Sequence, residues 1–126
     1  MALQDELKHC LISAMTGDAG MVSLEFLYPP SFTGFQGHFP GDPILPGVCI
    51  LQSLRMGLEE AWRIPLRLLE VGNAKFIVPT RPGDKLLYTV RESARDDVSV
   101  STKTKVTRDG ERVAEFSVKL ELIPAP

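Results

Sequence analysis

The sequence from Gly47 to Trp62 predicts a helix that is apolar on nearly every side. This feature constrains the fold of the chain most strongly. Pro46 fits the first turn of a helix, so we predict a helix over residues 46–62. Its apolar positions are Val48, Cys49, Ile50, Leu51, Leu54, Met56, Leu58, Ala61 and Trp62. A helix with so little polar surface is buried, and the rest of the chain must therefore supply the layer that covers it.

The chain after this helix is typical of β-strands. We predict strands over residues 68–78 and 85–92, separated by a turn rich in proline and glycine. Two further strands form a hairpin around Arg108–Glu111, with one apolar and one polar face. The apolar face consists of Val98, Val100, Thr102, Thr104, Val106, Ala114, Phe116, Val118, Leu120 and Leu122. One buried helix and roughly five antiparallel strands predict an α+β fold in which the sheet curls around the helix.

The N-terminal segment, residues 1–16, predicts an amphipathic helix, because apolar side chains recur at helical spacing and Gly17 follows. These side chains are Leu3, Leu7, Cys10, Leu11, Ala14 and Met15. A strand over residues 22–28 comes next and ends at Pro29 and Pro30. Since no repeat, linker or low-complexity segment interrupts the sequence, we predict a single domain over residues 1–126.

The composition excludes several classes of function. A formal net charge of −2 argues against general nucleic-acid binding. No apolar run approaches the ~20 residues that span a bilayer, and the N-terminus lacks the basic region of a signal peptide. Cys10 and Cys49 have neither zinc-binding nor redox-motif spacing, so we expect buried, reduced thiols. These features predict a cytoplasmic protein that binds neither membranes nor nucleic acid.

The stretch HFPGDPILPGV, residues 38–48, resembles the signature of the hot-dog β-hydroxyacyl-acyl-carrier-protein dehydratases of the FabZ/FabA type. Residues 75–79 (KFIVP) and 81–86 (RPGDKL) resemble a second shared segment of that family. The resemblance covers residues 21–122 and implies an antiparallel sheet wrapped around a central helix. It also implies removal of water from a (3R)-3-hydroxyacyl thioester to give a trans-2-enoyl thioester, in fatty acid or polyketide-type biosynthesis, with no cofactor and no metal.

The motif provides a base and a site for a thioester oxygen. An imidazole titrates near pH ~6.5, so His38 can remove the proton from the α-carbon. The surrounding prolines fix backbone angles and stiffen the loop that carries it. The N–H groups of Gly47 and Val48 begin the helix without intrahelical partners, and the positive end of the helix dipole lies there. Both features favour a thioester oxygen that gains negative charge, and the resemblance assigns the same role to Gly47.

The position that should supply a proton carries an amide instead. The resemblance implies a Glu or Asp fourteen residues after the histidine, contributed from the other subunit of a dimer, and this chain has Gln52 there. Gln52 can donate a hydrogen bond to a hydroxyl or orient a water, but it cannot deliver a proton. On this interpretation Gln52→Glu restores a proton donor and increases the rate, unless Arg55 pairs with the new carboxylate and holds it ionised.

Other polar residues have simpler interpretations. We expect His9 to be a surface or packing histidine and Asp42 a solvated turn residue, and we expect Glu59 and Glu60 to be solvated. Met56 occupies a helix position that is polar in the family. The arginines that could contact an acidic carrier protein are Arg55, Arg63, Arg67, Arg81 and Arg95.

Three functions remain open at this point. The first is a dehydratase acting on acyl-carrier-protein or coenzyme A thioesters, with His38 and Gln52 as its catalytic pair. The second is a non-catalytic or half-site subunit that forms a heterodimer with a homologous dehydratase, or simply binds acyl thioesters. The third is a hot-dog thioesterase, which generally needs a carboxylate near the thioester. For the isolated chain we predict a homodimer, because the pocket of such a fold needs residues from both chains.

Overall fold

The computed structural model describes residues 3–35 and 41–124. Two helices and six strands make up the regular structure of these residues. They are α1 (Leu3–Cys10), β1 (Leu11–Thr16), β2 (Met21–Leu27), α2 (Gly47–Trp62), β3 (Leu66–Phe76), β4 (Lys85–Arg95), β5 (Ser99–Arg108) and β6 (Glu111–Leu122). Short 3₁₀ turns lie at Asp18–Gly20 and Thr33–Phe35. None of the helices in these ranges is long and apolar enough to cross a membrane.

The six strands form one antiparallel sheet in the order β1-β2-β4-β5-β6-β3. Strands β5 and β6 are joined by the predicted tight turn, in which Asp109 and Gly110 have φ angles of 50° and 82°. Positive φ at both central turn residues matches the right-handed twist of the strands, which explains the Asp-Gly pair. Among the described strands β3 pairs with β6 alone, so it lies at an edge of the sheet.

Helix α2 is the buried centre of the fold, as its sequence predicts. It packs against strands β1, β2 and β3 and against α1. Its buried side chains include Cys49, Ile50, Leu54, Met56 and Leu58. At Gly57 the helix approaches β2 so closely that an added Cβ would lie 2.5 Å from Leu24 Cδ1. The predicted α+β architecture, a sheet packed around one helix, is confirmed.

The N-terminal prediction is wrong in its second half. Helix α1 ends at Cys10, whereas the sequence predicted a helix through residue 16, and Leu11–Thr16 forms the edge strand β1. Ala14 lies opposite Leu24, and Thr16 lies opposite Val22 of β2. The backbone groups of β2 would otherwise remain unpaired on that side, and this pairing overrides the weak helical periodicity of a six-residue segment. Gly17 therefore ends a strand: its N–H donates to Met21 O at 2.8 Å.

A chain of buried hydroxyl groups crosses the interface between helix and sheet. The Tyr28 and Tyr88 hydroxyls lie 2.7 Å apart, and the Tyr28 hydroxyl donates to Ser53 Oγ at 2.8 Å. Ser53 Oγ in turn donates to Cys49 O at 2.7 Å, so Tyr88 is left to donate to Tyr28. Burial raises the pKa of both tyrosines well above the usual value, which keeps them neutral. Each hydroxyl proton thus has an acceptor, as a buried polar group requires.

The two cysteines lie in the core without forming a disulfide, as their spacing suggested. Cys10 and Cys49 are free and buried. Burial raises the pKa of the Cys10 thiol to about 11 and raises that of Cys49 as well. These thiols therefore remain protonated near neutral pH and behave as small core side chains.

We predict that Gly57→Ala destabilises the protein by about 1–3 kcal/mol, because the added methyl group overpacks the contact with Leu24. Gly17→Ala is the matched control: its added Cβ would meet no atom closer than 3.8 Å. Thermal or denaturant unfolding of the two variants measures the difference. Equal stability of both variants would contradict the close helix–strand contact.

We predict that Tyr28→Phe is more destabilising than Tyr88→Phe, although both remove one buried hydroxyl. Without the Tyr28 oxygen, the Tyr88 hydroxyl loses its acceptor inside the core, at a cost of about 1–3 kcal/mol. Without Tyr88, Tyr28 still donates to Ser53. Urea unfolding of both variants measures the order, and the reverse order would show that the proton chain runs the other way.

Candidate active site

Two separate segments of the sequence meet at the start of α2. The Leu45 N–H donates to Thr80 O at 2.8 Å, and Leu45 is itself buried. Arg81 forms an ion pair with Asp42 beside this contact. Residues 41–48 and 79–84 are thus fastened together, and these are parts of the two segments on which the family resemblance rests. The structure therefore gives both segments one location.

The first turn of α2 offers free backbone donors. Pro46 occupies the N-cap position with an extended conformation and makes no side-chain cap. The Cys49 N–H donates to Pro46 O at 2.9 Å. Within residues 3–35 and 41–124, the N–H groups of Gly47 and Val48 have no hydrogen-bond acceptor. Together with the helix dipole, they make this end suitable for an oxygen that carries partial negative charge.

Gly47 has a packing role as well as an N–H group at the helix terminus. A Cβ at this position would lie 2.9 Å from Phe76 Cζ and 3.2 Å from two further ring carbons. The aromatic ring at the end of β3 therefore lies directly over the first residue of the helix. Close packing under this ring requires glycine, whereas the N–H donor would be present with any residue except proline.

Gln52 lies on α2 about 7.5 Å along the axis from Gly47, given the rise per residue of a helix. Arg55 Nε donates to Gln52 Oε1 at 2.8 Å, three residues along the helix. Arg55 also donates from Nη1 to Glu59 Oε1 at 2.9 Å. The amide oxygen of Gln52 is therefore already in contact with a cation.

The expectation that Glu59 is solvated is wrong. One of its carboxylate oxygens accepts from Arg55, and the other accepts from the Leu66 N–H at 2.8 Å, where β3 begins. Glu60 is exposed, as expected. Met56 is only 1% exposed and belongs to the core. Sequence spacing contained the signal for the Arg55–Glu59 pair, since side chains four residues apart face each other on a helix.

His38 lies outside the described residues, and its role as the base stays a prediction. His9 is a surface histidine whose Nδ1 contacts Asp5 O at 2.9 Å within α1. Asp42 is exposed, and its ion pair with Arg81 links the two joined segments. Neither residue contacts Gln52.

The remaining arginines that the sequence suggested as contacts for a carrier protein take part in local structure. Arg67 pairs with Glu121 across β3 and β6 at 2.6 Å. Arg95 pairs with Glu92 at 2.8 Å and lies 5.0 Å from the centre of the Trp62 ring. Arg63 ends α2 in a left-handed conformation. The structure therefore gives no preference among them as contacts for a carrier protein.

Apolar side chains along β3 and beside the first turn of α2 are exposed in the single chain. They are Val48, Leu69, Val71, Phe76 and Ile77. Val48 is 59% and Phe76 49% exposed, although they flank the candidate oxyanion site. Because β3 is also an edge strand, this region combines unpaired backbone groups with apolar surface.

A cavity of about 520 Å³ is lined by residues of strands β2 to β6. Basic side chains of three strands line it, together with Glu115: Lys75, Arg91, Lys103 and Lys105. Gly47, Val48 and Gln52 are absent from its lining. The cavity is thus separate from the helix terminus on which the candidate site rests.

Solved structures with the same architecture confirm the hot-dog fold. The dehydratase heterocomplex ApeI:P from Xenorhabdus doucetiae superposes with a TM-score of 0.70 over 88% of this chain and 96% of that chain, at 19% sequence identity. At that identity the likeness defines the class of fold, an antiparallel sheet around a central helix.

Sequence relatives define the family. The ApeI-like family model, described as ApeI dehydratase, matches residues 14–115. The 3-hydroxyacyl-[acyl-carrier-protein] dehydratase FabZ of Aliarcobacter butzleri is 34% identical over 101 residues, covering 71% of this chain and 69% of its own. FabZ of Fusobacterium nucleatum is 39% identical over 90 residues, covering 66% and 62%. The chain belongs to the ApeI-like dehydratase family.

Proposed function

We propose that the protein is a (3R)-3-hydroxyacyl-thioester dehydratase that gives a trans-2-enoyl thioester. His38 takes the proton from the carbon next to the thioester carbonyl. The N–H groups of Gly47 and Val48 bind the carbonyl oxygen as it gains negative charge. The bond from carbon 3 to its hydroxyl then breaks, and one water molecule leaves. The names of the FabZ relatives support an acyl carrier protein as the thioester's carrier.

One observation carries this proposal: the two family segments meet where α2 begins. The hydrogen bond from Leu45 to Thr80 and the ion pair between Asp42 and Arg81 fasten the loop to the turn. The histidine lies three residues before Gly41, so this anchored loop leads directly to it. A stiff loop, free helix donors and a polar side chain further along the helix are what an elimination next to a thioester requires.

The amide at position 52 changes the source of the proton. Gln52 donates hydrogen bonds to the departing hydroxyl but keeps its own protons. The hydroxyl still needs one proton to leave as water. The imidazolium formed when His38 takes the α-proton can return it, so the proton balance closes with one acid–base residue. We expect a slower reaction than one with a carboxylic acid, since general acid help contributes about 10²–10⁴ in rate.

A half-site subunit is the second candidate function. In that case a homologous partner supplies the acid from its own helix, while this chain supplies His38 and the helix terminus. Gln52 in place of an acid is the observation that favours it. The related ApeI:P structure is described as a heterocomplex, which makes such pairing reasonable for this family.

A thioesterase is less well supported. Such an enzyme needs a carboxylate free to act as base or nucleophile near the thioester. Both oxygens of Glu59, the nearest helix carboxylate along α2, already accept hydrogen bonds. Nothing about Gln52 replaces that missing group.

We also propose a homodimer formed along β3. The exposed apolar side chains of β3 and the first turn of α2 lie at a sheet edge, where a second copy can continue the sheet and cover them.

We propose a cytoplasmic location for the protein. Free cysteines in the described core fit a reducing compartment.

The direct test is an assay of the purified chain with short 3-hydroxyacyl and acyl thioesters. Alkene absorbance and free thiol are measured separately. A dehydratase gives the alkene without thiol release, and a thioesterase gives thiol from both substrates. A half-site subunit gives neither product alone and becomes active when a homologous subunit is added.

We predict that His38→Ala abolishes alkene formation and leaves folding intact, because this residue supplies the only base of the proposed reaction. Activity should fall by at least about 10²-fold, the low end of the range for general acid–base groups. Circular dichroism of the same preparation checks the fold. A folded variant with unchanged turnover would remove His38 from the mechanism.

We predict that the protein sediments at about twice its chain mass of 13.9 kDa at micromolar concentration. Val71→Lys should shift it towards the monomer, since it places a charge on the apolar edge strand. Leu87→Lys is the matched control: Leu87 is 41% exposed against 40% for Val71, but it lies on the interior strand β4. A monomeric wild type, or equal effects of the two variants, would contradict an interface at β3.

A further inference from the structure

We propose that Arg55, fixed in place by Glu59, is a positioning residue that holds the oxygen of Gln52 and so leaves both amide N–H bonds free to donate to the substrate hydroxyl. This inference rests on the proposed function, in which Gln52 faces the departing group. It assigns a task to a residue that the sequence suggested as a contact for a carrier protein.

The contact defines which way round the amide sits. A guanidinium group has N–H donors and no acceptor, so the atom of Gln52 that Arg55 Nε contacts at 2.8 Å must be the oxygen. A glutamine amide is otherwise able to exchange its oxygen and nitrogen by a half-turn. With the oxygen bound to a cation, that exchange would place the amide N–H₂ group against the guanidinium.

Arg55 is itself held at both ends of its planar group. Its Nε donates a hydrogen bond to Gln52 Oε1, and its Nη1 donates one to Glu59 Oε1. Glu59 is anchored in turn by the Leu66 N–H, so the network connects Gln52 to the first residue of β3. The Arg55 side chain is only 13% exposed and that of Glu59 27% exposed. Partly buried, charge-assisted hydrogen bonds of this kind are stronger than neutral ones and keep their geometry.

The arrangement also gives a physical reason for an amide at position 52. A carboxylate at position 52 would form an ion pair with Arg55 and remain ionised, which makes it an acceptor and removes it as an acid. The neutral amide gives the opposite polarity: its oxygen accepts from the protein, and its nitrogen donates to the substrate. Arg55 therefore determines whether position 52 donates or accepts.

The test combines two positions. Arg55→Met keeps an apolar stem and removes the guanidinium, and Arg55→Lys retains a cation and N–H donors. In the wild-type background we expect Arg55→Met to lower kcat by about 10²-fold, the cost of a misplaced group, with little change in KM. Arg55→Lys should recover part of the loss. Arg112→Met is the control, because it removes an arginine paired with Glu115 on the sheet, far along the chain from the helix.

In the Gln52→Glu background the effect should reverse. Gln52→Glu alone stays ionised beside Arg55 and gains no rate, whereas Gln52→Glu combined with Arg55→Met frees the carboxyl to protonate and increases the rate. A purely structural role for Arg55 would lower the rate in both backgrounds. Equal effects of Arg55→Met in the two backgrounds would overturn the proposal.

Thermal unfolding gives a readout that needs no activity. It compares the wild type, Gln52→Glu, Arg55→Met and the variant that combines both substitutions. We expect Gln52→Glu to raise Tm when Arg55 is present and to lower it when position 55 is Met, since the carboxylate is then half-buried without a partner. The same Tm shift in both backgrounds would overturn the contact itself. If the Tm shifts reverse as expected but no variant forms alkene, the contact stands and the proposed dehydratase function fails.

Discussion

Burial of helix α2 is the constraint on which the rest of the structure depends. A helix with apolar residues on nearly every side is stable only when other elements cover it, and here a six-stranded sheet and α1 do so. Gly57 allows the helix to lie against Leu24 without a gap, and the buried hydroxyls of Tyr28 and Tyr88 are linked by hydrogen bonds to Ser53 of the helix. The helix is therefore held in place along its length by the core alone, without a bound substrate.

A fixed helix gives the candidate site its geometry. The N–H groups of Gly47 and Val48 lie at its first turn and Gln52 lies further along it, so one rigid element fixes the position of each within its own chain. The loop before the helix is tied to residues 79–84, and Glu59 ties the C-terminal half of the helix to the start of β3. Preorganised donors of this kind stabilise developing charge without rearrangement during the reaction.

Much of the fold could be predicted from the sequence because its patterns are local. The central helix was predicted over residues 46–62 and runs Gly47–Trp62, and the Asp-Gly hairpin turn was also predicted correctly. The stretch Leu11–Thr16 could not be assigned correctly, because its pairing with β2 depends on contacts distant in sequence.

The site shows the same division between local and distant signals. Arg55 and Glu59 lie one helical turn apart, so their pair was accessible from spacing. The Leu66 N–H donates to the second Glu59 oxygen, but it follows a turn whose path the sequence does not specify. This contact therefore could not be predicted. The packing of Phe76 over Gly47 joins residues 29 positions apart and becomes evident only once β3 is placed. The loop with His38 was identified by its motif alone.

A crystal structure of the protein with a stable 3-hydroxyacyl thioether or amide analogue would show whether Gln52 donates to the substrate hydroxyl while Arg55 holds its oxygen. We expect the analogue's hydroxyl oxygen about 2.7–3.2 Å from Gln52 Nε2 and its carbonyl oxygen at a similar distance from the N–H of Gly47 or Val48, with the Arg55–Gln52 contact kept. A bound analogue whose hydroxyl contacts neither Gln52 nor a water held by it, or a Gln52 side chain that has turned away from Arg55, would rule out this role for the amide.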